Sequence, residues 1–199
     1  ATNAGPIWDY IDLRHRPAKP RAREALPIVA ITTTAGTGAE VTGNSVLTNM
    51  ETTEKATIKG PDLYPKVAII DPEIMATIPK RVTGYTGFDA FAHALESYLN
   101  VQKRSPFSDM VAAEAMRTVI EALPRVMANG EDTEARGQMA WANTLAGLAI
   151  AHAGTTTTHA LAQPATARLG LPHGLTVAIF TLPVNRHTVE HDLERFAQL

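Results

Sequence analysis

The chain has 199 residues, 45% of them apolar, and its 18 basic and 20 acidic side chains leave a formal charge of −2. That length allows one domain or two small ones with a sizeable core, and the near balance of charge removes the field that would draw in nucleic acid or an anionic membrane. With no cysteine in the sequence, disulfides, thiolate metal sites and cysteine nucleophiles are excluded together.

The first stretch, "ATNAGPIWDYIDLRHRPAKPRAREALP", lacks the charged-then-apolar order of a secretory signal. No apolar run approaches the ~18 residues of a membrane span, so a soluble, cytoplasmic protein is expected. The chain does not open with Met and carries no recognisable strand before Pro27; it is expected to begin inside a larger protein. From Pro27, "PIVAI" is an apolar, β-branched run feeding the small-residue loop "TTTAGTGAE", the pattern of a buried strand and a turn. "NSVLTN" and "KATIK" alternate around the polar "METTE" as a hairpin does, and "KVAIIDP" reads as a second buried strand stopped by Pro72. Beyond Pro79 alanine becomes frequent, and apolar residues recur at helical spacing in "FDAFAHALESYL", "SDMVAAEAMRTVIEAL" and "TEARGQMAWANTLAGLAIAHA". Ser108 or Asp109 is expected to cap the second of these helices and Asp132 with Thr133 the third, with Gly130 ending the one between. The pattern predicts the tail of an α/β domain over residues 1–79 and an all-helical part over 80–199. No internal repeat or low-complexity tract is present.

Candidate metal ligands stand out in the helical part. Residues four apart share a helix face, so the Asp89 carboxylate and the His93 imidazole can converge on one point. His159 in "TTTTHALAQP" and His173 in "LPHG" lie downstream among small residues. One carboxylate and three imidazoles would hold a divalent ion without cysteine, a set that suits zinc or ferrous iron. A solvated Asp and a packed His would explain the pair Asp89–His93 equally well if it stood alone. "HTVEH", His187 to His191, matches the H-x-x-E-H order of one metallopeptidase class. That class needs a third ligand well downstream, where little chain remains, and the polar surroundings read as an exposed helix. His15 among "RHRP" reads as a surface residue and His152 in an alanine-rich helix as a core one. The loop "TTTAGTGAEVT" could cradle phosphate through backbone N–H groups and threonine hydroxyls, although it is neither G-x-G-x-x-G nor a P-loop.

Taken in order, "ITTTAGTGAEVT", "YPKVAIIDPEIMATIP", "TGFDAFAHALESY", "THALAQ" and "LPHG" resemble the iron-containing (group III) alcohol dehydrogenase family. The resemblance implies a dinucleotide-binding α/β domain followed by a helical metal-binding domain, with the active site in the cleft between. It implies Asp89, His93, His159 and His173 as ligands of Fe²⁺ or Zn²⁺. For NAD or NADP it implies contacts from Thr33, Thr34, Thr37, Thr42, Asn44 and Lys55. Thr32 and Ala39 stand where the family commonly has proline and serine, and Gln163 stands where it commonly has a further histidine, which makes Gln163 a candidate catalytic group. The family's glycine-rich diphosphate turn lies upstream of these motifs. The implied activity is hydride transfer between a small alcohol or aldehyde and NAD(P), in a homo-oligomer. The alternatives are the same fold acting on an oxo or hydroxy acid, as in maleylacetate reduction or transhydrogenation, and a metal-binding piece without catalysis.

Overall fold

The computed structural model describes residues 2–13 and 15–199. Strands and loops fill the chain as far as residue 79, and helices follow. Four short strands form two separate two-stranded sheets. β1 (Val29–Ile31) and β4 (Val67–Ile69) pair in parallel, Val29 opposite Val67 and Ile31 opposite Ile69. β2 (Asn44–Asn49) and β3 (Glu54–Lys59) form an antiparallel hairpin in which Asn44 faces Lys59 and Asn49 faces Glu54. Its turn passes through Thr53 at φ +54°, the left-handed region that lets the chain reverse.

The helical part comprises α1 (Lys80–Leu99), α2 (Pro106–Ala128), α3 (Thr133–Ala153), α4 (Thr157–Leu169), α5 (His173–Thr188) and the short α6 (Leu193–Ala197). The cap of α2 is Ser105, not Ser108 or Asp109: the Ser105 hydroxyl accepts from the Ser108 N–H and Ser108 reaches back to the Ser105 N–H. Pro106 explains the difference, because a residue without an N–H fits the first helical turn, so the helix starts there rather than after it. Asp132 caps α3 through the Ala135 N–H, as expected. α2 ends at Ala128 with Asn129 as its cap, and Gly130 follows.

Alanine dominates where α1, α2 and α3 meet. Ala90 and Ala94 of α1, Ala115 and Ala122 of α2, and Ala142 and Ala146 of α3 are all fully buried, and side chains this small let helices pack closely. Met75 plugs the end of this core. Buried Arg136 fastens α3 to the start of α1, donating to the carbonyls of Gly130 and Ile78 and to the Thr83 hydroxyl. A second cluster, Ala92, Ala162 and Val177, packs α1 against α4 and α5. α1 is therefore covered on both sides, and its polar residues Thr83, Asp89, His93, Glu96 and Ser97 face the interior.

Two further expectations fail. β1 and β4 are exposed rather than buried, with Val29 at 58% and Ile31 at 54%, because an apolar parallel strand is buried only where other layers cover its faces and no layer among the described residues covers this pair. His152 is exposed as well: its ring leans on Phe107 and its Nδ1 lies 2.9 Å from the Leu148 carbonyl, so it packs on the outside of α3. His15, His187 and His191 are exposed, as their polar surroundings indicate.

Candidate metal centre

α1 carries Asp89, His93 and Glu96 at i, i+4 and i+7, one stripe of its surface, and all three are buried. α4 adds His159 in its first turn and α5 adds His173 as its first residue. One Asp89 oxygen, Oδ1, lies 3.4 Å from His159 Nε2 and 3.7 Å from His173 Nε2. Asp89, His159 and His173 each offer a ligand atom within 4.8 Å of the others. The separations are too long for good hydrogen bonds. They match the edge of a tetrahedron about a zinc-sized ion, about 3.4 Å for ligand atoms ~2.0–2.1 Å from the centre. Asp89 Oδ1 and both ring nitrogens of His159 are buried without a hydrogen-bond partner among the described residues, an arrangement that costs free energy unless a cation satisfies it. Among the described residues no other three such side chains converge.

His93 stands beside this trio rather than in it. Its Nδ1 is 3.0 Å from the Gly36 carbonyl and its ring stacks on that of His159, centroids 4.6 Å apart. The i, i+4 spacing puts Asp89 and His93 on one face, but the Asp89 oxygen points to the imidazoles of α4 and α5. With Nδ1–H given to Gly36, His93 keeps the lone pair on Nε2.

The electrostatics suit a cation. Burial opposes the charge of Asp89, yet His93, His159 and His173 hold its carboxyl below the usual range. Burial pushes His173 down to about 4; Asp89 opposes that shift, while Lys55 adds to it. Burial likewise lowers His93. For His159 the burial penalty is outweighed by Asp89 and Glu96, which push it up to about 9. At neutral pH His93 and His173 thus present lone pairs, whereas His159 holds a proton that a bound cation would displace.

The threonine loop closes over the same place. A Cβ on Gly36 would come within 2.8 Å of the Thr86 carbonyl oxygen, and one on Gly38, at φ +60°, would collide with the Gly147 Cα. The loop therefore lies directly on α1 and α3. Glu40 anchors it from inside, accepting from Asn143 and Thr144, while Asn143 accepts the Gly38 N–H. Thr33 and Thr37 are left exposed, Thr34 half-buried and Thr42 buried; Asn44, on β2, is exposed. Lys55 is half-buried on β3; burial lowers its ammonium, the nearby Asp89 carboxylate opposes that shift, and Lys55 in turn helps to lower His173.

The family model for the iron-containing alcohol dehydrogenases matches residues 1–72, and that for the C-terminal part of the Fe-containing alcohol dehydrogenase family matches residues 83–199. The chain belongs to this family. It is 41% identical over 179 residues to long-chain-alcohol dehydrogenase 1 of Geobacillus thermodenitrificans, a match covering 90% of this chain and 44% of that protein. To the NAD-dependent methanol dehydrogenase of Bacillus methanolicus it is 37% identical over 199 residues, all of this chain and 51% of that protein. The crystal structure of sulfoacetaldehyde reductase from Bifidobacterium kashiwanohense, in complex with NAD+, superposes with a TM-score of 0.84 at 36% identity, covering 94% of this chain and 48% of that one. The chain spans about half the length of the curated relatives it matches.

Gln163 sits half-buried on α4, one turn beyond His159. Its side chain makes no hydrogen bond among the described residues, so its amide is available. Sequence reasoning missed Glu96. The signal was its place on the Asp89–His93 stripe, but what Glu96 touches is the start of α4, sixty residues on. The Glu40 anchor was missed for the same reason.

Proposed function

We propose that the protein is a metal-dependent oxidoreductase that passes a hydride between a small alcohol or aldehyde and NAD or NADP. The observation that carries this reading is the convergence of Asp89, His159 and His173, from three helices, on one buried point in a chain of the iron-containing alcohol dehydrogenase family. These three residues hold the ion, with His93 as fourth donor through Nε2. Three imidazoles and a carboxylate suit Fe²⁺ or Zn²⁺. When bound, the ion supplies Lewis acidity towards the substrate oxygen and the nicotinamide takes up or gives the hydride.

The chain's own residues do the rest. Asp89 offsets the cation's charge, and the Gly36 carbonyl fixes the His93 ring through Nδ1. Thr33, Thr34 and Thr37 offer hydroxyls to the cofactor from a loop held rigid by Glu40, with Thr42, Asn44 and Lys55 extending that contact along the hairpin. Gln163 offers its amide to the substrate oxygen. Residues 1–79 serve as part of the nucleotide domain and 80–199 as the metal-binding domain, a division supported by the change to helix at Lys80. No described helix is long and apolar enough to cross a membrane; a cytoplasmic location and a homo-oligomer are part of the proposal.

One observation favours a second reading, an oxo or hydroxy acid substrate: Lys55 puts a half-buried cation beside the centre. Matched alcohols and hydroxy acids compared by kcat/KM separate the two. The test of the main reading is His159→Ala in the intact protein. Bound Fe²⁺ or Zn²⁺ and alcohol-dependent reduction of NAD or NADP should both fall by more than about tenfold, and retention of both would overturn it.

A further inference from the structure

We infer that Glu96 is a positioning residue of the metal centre: it docks the start of α4 onto α1 and turns His159 so that Nε2, not Nδ1, faces the ion. The inference rests on the metal reading above.

Glu96 is 3% exposed. A buried carboxylate needs partners to offset lost hydration, and among the described residues no Lys or Arg reaches it. Its partners are all at one helix end. Oε1 accepts the His159 N–H at 2.9 Å and Oε2 accepts the Thr156 N–H. Thr156 is the N-cap residue of α4, and its own side chain makes no capping hydrogen bond; His159 is the third residue of the helix. These are the two orphan donors that a capping box satisfies with local side chains. Here a carboxylate from another helix takes both, with its charge at the positive end of α4.

The same Oε2 lies 3.2 Å from His159 Nδ1, although the approach is not aligned as a hydrogen bond. One carboxylate therefore touches the backbone N–H and the imidazole of a single residue, so the ring cannot swing away without leaving a group that also holds its main chain. A carboxylate facing Nδ1 favours the tautomer protonated there and leaves the Nε2 lone pair directed at the Asp89 oxygen 3.4 Å away. A helix cap alone would need no contact with the ring.

The test strips the intact protein of metal and titrates it with Zn²⁺ against a competing chelator, for wild type, Glu96→Gln and Asp89→Asn. Glutamine keeps the size and one accepting oxygen, but its NH₂ cannot accept a proton from Nδ1. Glu96→Gln should weaken Zn²⁺ binding about 10–100-fold. ¹⁵N NMR of the Zn²⁺-loaded wild type should show His159 bound through Nε2, with Nδ1–H protected from exchange. That second readout holds even if the glutamine variant does not fold. Unchanged Zn²⁺ affinity in Glu96→Gln, even with a lower melting temperature, would reduce Glu96 to a cap and overturn the inference. Metal bound through Nδ1 would do the same. If Asp89→Asn loses Zn²⁺ while Glu96→Gln keeps it, the metal reading stands and the inference falls; a wild type that leaves Zn²⁺ unbound removes both.

Discussion

Val29, Ile31, Val67 and Ile69 in the β1–β4 pair are 44–58% exposed, whereas Ala115, Ala122 and Ala146 of the helical part, and Met75 packed against it, are fully buried. The strand residues are the more hydrophobic of the two sets, apart from Met75, so burial does not follow from residue type. It follows from what lies on each face. Backbone hydrogen bonds join β1 to β4 and leave their side chains where they were, while each of α1, α2 and α3 presents its alanines to the other two. The candidate metal centre belongs to the covered region, and there the Asp89 oxygen and both His159 ring nitrogens are buried, while His173 stays 27% exposed.

The sharpest way to test this difference is to empty part of the covered region. Met75→Ala removes a side chain with no exposed surface from the edge of the three-helix core. It should lower the unfolding free energy by about 2–5 kcal/mol, read from urea midpoints at constant m. A loss below about 1 kcal/mol would mean that the core collapses around the gap and is less tightly packed than its burial implies.

A smaller effect separates the regions by pH. His159 is held at about 9 and His173 at about 4, either side of the ordinary 6.5. A basic group raised on folding stabilises fully below its unfolded value, and that contribution is lost as pH climbs through the folded one. The chelator-treated protein should therefore lose stability from about pH 6.5 towards 9, by on the order of 2–3 kcal/mol, since each tenfold gain in proton affinity on folding is worth about 1.4 kcal/mol. His173 acts in the opposite sense, its depressed value costing stability as pH falls from 6.5 towards 4. β1 and β4 contain only Val, Ala and Ile and contribute nothing to either slope. Urea midpoints at pH 6.5 and 8.5 check the alkaline side, and His159→Gln should flatten it; an unchanged slope in that variant would assign it to another group.

Much of this architecture was legible because it is periodic. The helical spacing marked α1, α2 and α3, the alternation in "NSVLTN" and "KATIK" marked the hairpin, and Asp132 marked a helix start. The four-residue interval placed Asp89 and His93 on one face, the small-residue surroundings of His159 and His173 offered them as partners, and the resemblance to a family tied the four together. What escaped depended on neighbours distant in sequence. "PIVAI" and "KVAII" read as buried because their composition is that of covered strands. His152 read as core because alanines surround it in sequence but not in space. Glu96 went unnoticed, since nothing local shows that the start of α4 will lie against it. Ser105 was a local miss: the cap was expected at Ser108 or Asp109, after Pro106, whereas Pro106 is the helix's first residue.

The smallest expected effect tests the comparison most directly, with one chemical change made in both regions. Val→Thr keeps the β-branch and nearly the volume but adds a hydroxyl, so its cost reports whether the site is dry. At Val119 of α2, 3% exposed, the hydroxyl loses its water. Within a helix it can bond to the carbonyl one turn back, which limits the cost to about 1 kcal/mol. At Val29 of β1 the hydroxyl stays hydrated and strand preference is kept, so the change should be under about 0.5 kcal/mol. Both variants are to be measured on the 199-residue chain under identical conditions, because the inference lies in their difference. Equal costs of about 1 kcal/mol would mean that something covers β1 in solution, and a second copy of the chain can be told apart by concentration. The cost at Val29 would then fall on dilution, as mass action requires of an associating face. A negligible cost at both positions would instead mean that α2 admits water at Val119, and the contrast between a sealed helical core and an open strand pair would have to be given up.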